Sequence, residues 1–417
     1  MNIMKLHEFD PQIANSLQNE LTRQRDGLEM IPSENFVSIA VLEALGSIAT
    51  NKYSEGYPGH RYYGGCINID EIEQLAIDRV KQIFGAEHVN VQPLSGAPAN
   101  IAAYEALLKP GDTVLGMDLS HGGHLTHGHP VTQSSKIYNF IRYKTNAKGL
   151  IDLDNLRTMA IKHKPKLILV GYSAYSREID YQNIKKIADE VGALTMADIA
   201  HIAGLIAGGQ MDNPVPIFDL ITTTTHKTLR GPRGGMIMCK SEFAKAVDKA
   251  VFPGLQGGPH ENVIAAKAVA FKEALMPEFA KYAAQIKSNA KVLETELRSR
   301  DYNLMFGGTD NHLLLIDVSN KSITGAQAET ALDKAGITVN KNMIPDDPRS
   351  PMDPSGIRLG TPALTTRGMK EEEMRQITVW IDEAISNYQN EDKLTQIKSS
   401  VKEMTAKYPL YSELSYV

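Results

Sequence analysis

Apolar residues at Ile72, Leu75, Ala76, Val80, Ile83 and Phe84 recur at helical spacing and stop at Gly85, a residue suited to closing a helix in the left-handed conformation. Beyond it the pattern predicts a short strand over His88–Gln92, then a helix over Pro98–Leu108 closed by Lys109-Pro110-Gly111. Short apolar or β-branched runs follow at Thr113–Met117, Leu167–Val170, Leu194–Ala197 and Leu220–Thr224, with helical segments such as Ile184–Val191 between them. Strands that alternate with helices predict an α/β fold, built on a mainly parallel sheet covered on both faces.

After Gly258 the text changes. Glu261–Arg300 is one long amphipathic stretch, followed by a strand-like Asn311–Val318, a helix near Ala326–Ala335, a proline-rich loop from Pro345 to Pro354 and a helical C-terminus. The expected organisation is an N-terminal arm (1–25), a large domain (26–275) and a smaller C-terminal α+β domain (276–417). No fixed-period repeat or low-complexity tract interrupts this order.

Composition narrows the class. The chain has 417 residues, 42% of them hydrophobic, enough for more than one buried core and too apolar for disorder. Its 2 cysteines, Cys66 and Cys239, make neither a disulfide framework nor a cysteine metal site, so a reducing, cytoplasmic compartment is expected. The first thirty residues carry no apolar signal core, and no run is long enough to span a membrane. A net charge of −5 argues against a nucleic-acid surface.

In open α/β sheets ligands bind beyond the carboxyl ends of the strands, which directs attention to four segments. Ser95-Gly96-Ala97-Pro98 opens a helix, where free N–H groups and the dipole suit an anion; an ordinary capped turn reads the same way. Asp198 ends a strand and His201 follows, placing a carboxylate for a protonated ring nitrogen or, equally, for a helix cap. Lys227 follows the threonine-rich Thr222–Thr225 and His226, with Arg230–Gly235 behind it. There a lysine can form a Schiff base, provided that burial and nearby cations lower its pKa. The fourth segment, Ser120–His129, holds His121, His124, His127 and His129. Its spacings of three, three and two residues in a glycine-broken loop do not suit a metal site, so no metal is expected, and an imidazole lying on a flat ring fits better. Together the four supply what pyridoxal phosphate requires: an anion cradle, an aromatic loop, a carboxylate and a lysine.

The residues also carry a resemblance. Asn51–Gly65 (NKYSEGYPGHRYYGG) resembles the signature of serine hydroxymethyltransferases, as do His121–Gly128, Thr222–Gly235, Phe252–Pro259 and Gly356–Pro362. The blocks run in family order from near Ile31 to Gly368. The resemblance implies a fold-type I pyridoxal 5'-phosphate enzyme with a seven-stranded sheet, acting as a homodimer or a dimer of dimers. It would interconvert serine plus tetrahydrofolate with glycine plus 5,10-methylenetetrahydrofolate.

Carried over by position, the resemblance makes Lys227 the Schiff-base lysine, Asp198 the partner of the pyridine nitrogen and His124 the ring-stacking histidine. Ser95, Gly96 and Ala97 align with the phosphate cradle. Ser173, His201, His226, Gly257 and Gly258 align with other cofactor contacts, and Thr224 joins the catalytic set. Arg358 and Ser33 would hold the substrate carboxylate. Glu55 is the candidate proton-transfer group, with Tyr53 and Tyr63 in the same site. Glu55, Tyr62, Leu119, Gly123, Leu125 and Asn342 align with the folate pocket. The Tyr53–Tyr63 segment and the Gly257-Gly258 turn would reach into the neighbouring subunit's site.

Ala97 and Pro98 depart from the family text, which often has serine and glutamine there, and this implies weaker cofactor retention. Two other readings of the chain are a folate-independent threonine-type aldolase on the same fold and a non-catalytic binding protein. The intact folate positions favour the transferase over the first, and the retained Lys227, Asp198, Arg358 and Glu55 weigh against the second.

Overall fold

The computed structural model describes residues 5–417. Its centre is a seven-stranded sheet in the order His88–Asn90, Gly235–Cys239, Leu220–Thr224, Leu194–Asp198, Leu167–Gly171, Thr113–Met117, Asn139–Tyr143. All neighbouring pairs are parallel except the two made by Gly235–Cys239, which runs antiparallel to both of its neighbours. Every residue of Leu167–Gly171, Leu220–Thr224 and Gly235–Cys239 is buried. Helices cover both faces, which is why these strands read as continuous apolar runs and not as alternation.

The helix expected to end at Gly85 spans Ile67–Phe84, and Gly85 takes φ 73° as its left-handed cap. The stretch Glu261–Arg300 is two helices, Glu261–Ala274 and Pro277–Ser299. Pro277 causes the break: it has no N–H to continue the first helix, yet it fits the first turn of the second. Two sheet strands are absent from the sequence reading. Asn139–Tyr143 is an edge strand of mixed polarity, and Gly235–Cys239 is masked by the glycines before it.

The second layer is a four-stranded antiparallel sheet ordered Asn303–Leu304, Leu313–Asp317, Gly356–Gly360, Asn340–Asn342. Arg358 lies mid-strand, opposite Leu315 on one side and Asn340 on the other. The core behind this sheet joins Leu314, Ile316, Leu359, Ile377 and Val401 to Leu28 and Met30 from near the N-terminus. Leu28-Glu29 pairs in parallel with Ile337-Thr338, so the chain enters the smaller layer before it builds the large sheet. Among the described residues, no helix is long and apolar enough to cross a membrane.

Candidate active site

The carboxyl ends of the parallel strands converge on a cavity of about 400 Å³. Lys227 enters it three residues beyond the strand Leu220–Thr224, with Thr224 and His226 beside it. Asp198 is the last residue of the adjacent strand, and Ser173 lies two residues past Leu167–Gly171. The smaller sheet contributes Arg358, and the segment joining the layers contributes Ser33. Ser95, Gly96, Ala97, His124 and His201 complete the expected set.

The charges are strongly placed. Burial brings the Lys227 ammonium down to about 8, helped by Arg358 and Arg233 and opposed by Asp198. Burial works against the Asp198 carboxylate, but the hydrogen bond from His127 and the donation from Asn100 outweigh it and hold Asp198 well below the ordinary carboxylate range. Its Oδ2 accepts from Asn100 Nδ2 at 2.9 Å and lies 3.1 Å from His127 Nε2, and its Oδ1 accepts from the Ala200 amide at 3.0 Å. Arg358 is brought down to about 10 by burial alone. Its Nε donates to Asn340 Oδ1 at 3.1 Å and its Nη1 to the Ser173 carbonyl, but no carboxylate among the described residues pairs with it. A buried cation in that condition is suited to an incoming anion.

The helix Gly96–Leu107 starts at the cavity, and its cap residue Ser95 makes no side-chain cap bond, leaving the hydroxyl for a ligand. Gly96 is required by space: a Cβ there would lie 2.8 Å from Thr224 Cγ2. A Cβ on Gly235 would lie 2.5 Å from the Ser95 carbonyl oxygen, so the cradle presses directly on the neighbouring strand. Bare N–H groups at a helix start, a free hydroxyl and an ionised carboxylate facing a lysine fit a phosphorylated pyridine aldehyde.

His124, His127 and Asp198 place ligand atoms within 4.8 Å of one another, a spacing a metal ion can use. These atoms already have partners in the protein. His124 Nδ1 lies 2.7 Å from Thr126 Oγ1 and 3.3 Å from the Thr126 amide, and His127 Nδ1 accepts from the His124 amide at 3.4 Å. His127 Nε2 donates to Asp198 Oδ2 at 3.1 Å. Asp198 Oδ2, which also accepts from Asn100 Nδ2 at 2.9 Å, is thus taken up by hydrogen bonds within the protein. Burial, with His127 next, brings His124 down to about 4, leaving it a neutral flat ring at the cavity wall.

The remaining expected residues lie elsewhere in the chain. Tyr53, Glu55, Tyr63, Gly257 and Gly258 form a second cluster and do not line this cavity. There the Tyr53 hydroxyl lies 3.3 Å from Glu55 Oε1, and the Tyr53 and Tyr63 rings meet edge to face at 4.9 Å. A Cβ on Gly258 would lie 3.3 Å from the Tyr53 ring. Tyr62 is 76% exposed and packs on Phe252. Leu119 and Gly123 belong to the loop that runs on to His124; Ser173 Oγ donates to the Gly123 carbonyl at 2.9 Å, and Leu125 is exposed. Asn342 ends the strand Asn340–Asn342, whose first residue holds Arg358.

Sequence reasoning missed several participants. Glu34, Tyr172, Ala200 and Arg233 also line the cavity, while Asn100 and His127 fix Asp198. Arg233 was in view as part of Arg230–Gly235 and touches His226 Nε2 at 3.3 Å. His312, which pairs with His201 at 3.3 Å, lies 111 residues away and gave no local signal.

The chain matches the family model described as serine hydroxymethyltransferase over residues 6–381. It is 57% identical to a serine hydroxymethyltransferase of Acidobacterium capsulatum over 412 residues, covering 99% of this chain and 96% of that protein. Because the family match takes in every residue that lines the cavity, the chain belongs to the serine hydroxymethyltransferase family.

Proposed function

We propose that the chain transfers the hydroxymethyl group of serine reversibly to tetrahydrofolate, giving glycine and 5,10-methylenetetrahydrofolate, with pyridoxal 5'-phosphate bound in the cavity around Lys227. This is the reaction of its family, and family membership does not favour the folate-independent aldolase reading. The observation that carries the residue assignment is the meeting of Lys227, Asp198 and an acid-free Arg358 in one cavity. When bound, pyridoxal phosphate supplies an electron sink for charge that develops at the amino acid's Cα.

The chain's own residues do the rest. Lys227, with its pKa brought down to about 8, has about a tenth of its amine free at pH 7, against far less for an ordinary lysine, to hold the cofactor aldehyde. Asp198 stays ionised and keeps a proton on the pyridine nitrogen. Ser95, with the N–H groups of Gly96 and Ala97, would take the phosphate beside His226, and Gly257 and Gly258 would reach it only from a second subunit. His124 would stack on the cofactor ring, and Ser173, His201 and Thr224, which line the same cavity, would contact it. Arg358 and Ser33 bind the substrate carboxylate, for which a planar guanidinium has a matching fork of donors. Glu55 holds or moves the proton at the substrate hydroxyl beside Tyr53 and Tyr63, and Tyr62, Leu119, Gly123, Leu125 and Asn342 bind folate.

Glu55 and its cluster serve this chemistry from a second subunit. Supporting this reading, the cluster lies off the cavity within its own chain, and its surroundings expose Tyr62, Ile48 (85%) and Ile67 (80%), apolar surface suited to a partner copy. The working unit is then a homodimer, or a dimer of dimers, in the cytoplasm. The two cysteines, unpaired and buried, suit that compartment.

The visible spectrum of the purified protein tests the proposal. It should be yellow, and glycine should produce a new long-wavelength band that tetrahydrofolate strengthens. A colourless protein, or one indifferent to folate, would overturn it.

A further inference from the structure

Lys267 lies on the helix Glu261–Ala274 and is 1% exposed, one of the deepest charges in the molecule. Its ammonium has three N–H donors, and all are used on main-chain carbonyls: Val91 at 2.6 Å, Pro93 at 3.1 Å and Gly235 at 2.8 Å. The buried carboxylates of Glu73 and Glu261 supply the opposing charge. No side chain of the cavity touches Lys267, and it does not line the cavity.

What the three carbonyls hold is informative. Val91 and Pro93 lead into Leu94-Ser95-Gly96, the turn that opens the cradle helix. Gly235 begins the antiparallel strand on which that turn rests; its amide donates to the Pro93 carbonyl at 3.0 Å. Gly234 next to it has no room for a Cβ, which would collide with Lys267 Cε. One ammonium therefore joins the turn before the cradle to the strand after the Lys227 segment, from behind both.

We propose that Lys267 is a positioning residue for the cofactor phosphate: it sets where Ser95 and Gly96 stand relative to the strand Gly235–Cys239 without touching the ligand. The inference rests on the reading that Ser95–Ala97 take the phosphate. Removing the ammonium leaves the buried Val91 and Gly235 carbonyls short of a donor and the Pro93 carbonyl with the Gly235 amide alone, and the nearest relief is for the Pro93–Gly96 turn to move, spoiling the anion site first. A role in general packing would instead weaken all ligands alike.

The test uses the full-length protein freed of cofactor and compares its affinity for pyridoxal phosphate with that for pyridoxal, which lacks the phosphate. Lys267→Met should weaken pyridoxal phosphate at least about tenfold and leave pyridoxal within about twofold, so that the ratio of the two affinities falls. Should that variant not fold, Gly234→Ala displaces the ammonium without deleting it, and the ratio should fall in the same direction by a smaller factor. An unchanged ratio in whichever variant folds would overturn the role of Lys267. Ser95→Ala separates the two readings. If it lowers the ratio while the Lys267 and Gly234 variants do not, the cradle stands and Lys267 has no part in it. If it leaves the ratio intact, the phosphate reading itself falls.

Discussion

Arg358, on the central part of the small sheet, donates from Nη1 to the main-chain carbonyl of Ser173, beyond the end of a large-sheet strand. A single guanidinium thus touches both layers and still has donors to spare, since only two of its N–H groups are used on protein acceptors. Arg358→Lys keeps the charge but loses the fork. Its kcat/KM for serine should fall about a hundredfold, equivalent to about 2.8 kcal/mol, with most of the loss in KM. Steady-state kinetics checks this, and an unchanged KM would remove Arg358 from carboxylate binding.

The rate at which cofactor-free protein captures pyridoxal phosphate should follow the free amine of Lys227. Its pKa is lowered to about 8, so the capture rate should rise with pH through about 8 and then level off. The direction of change in variants is fixed by charge. Arg233→Leu removes a cation that disfavours the ammonium, so the midpoint should move up. Asp198→Asn removes an anion that favours it, so the midpoint should move down. Stopped-flow absorbance across a pH series reads both shifts, and movement in the reverse sense would contradict the assignment.

If Glu55 acts across a subunit boundary, two inactive variants should repair each other. Mixing Lys227→Ala with Glu55→Gln and letting subunits exchange places one intact site in each hybrid. With random pairing about a quarter of wild-type folate-dependent turnover should return. A mixture no more active than its parents would place Glu55 and Lys227 in one chain's site, or leave Glu55 without a proton-transfer role.

Ala97 and Pro98 bear directly on the cradle, for Ala97 has no hydroxyl and Pro98 no amide hydrogen. The double variant Ala97→Ser/Pro98→Gln should therefore hold pyridoxal phosphate more tightly, by about 1 kcal/mol or roughly fivefold. Dialysis against buffer at a fixed cofactor concentration measures this, and equal or weaker retention would show that the departure costs nothing.

The parts of the molecule legible in its text were those with local causes. Thr113–Met117 and Leu220–Thr224 appear residue for residue, because a strand buried on both faces must be apolar or β-branched throughout. Gly85 and Pro277 act through their own backbones: one ends a helix where expected, and the other divides a stretch that amphipathicity alone makes continuous. Asn139–Tyr143 escaped notice because an edge strand is half wet and carries no clean pattern. The residues that tune the site, Asn100 and His127 around Asp198 and His312 beside His201, are joined to it only by folding. Their spacing along the chain holds no period to read.

The entry of Leu28-Glu29 into the small layer, long before the rest of that layer is reached, means that the large sheet lies, along the chain, between two parts of the small layer. The chain then passes between the layers twice, once just after Met30 and once within the helix Pro277–Ser299, whose Phe279, Tyr282 and Ile286 pack in the large core and whose Leu293 and Leu297 pack in the small one. The segment from Ile31 to Phe36 therefore belongs to neither layer alone, and a change in it is felt at the cavity through Ser33 and Glu34, which it carries.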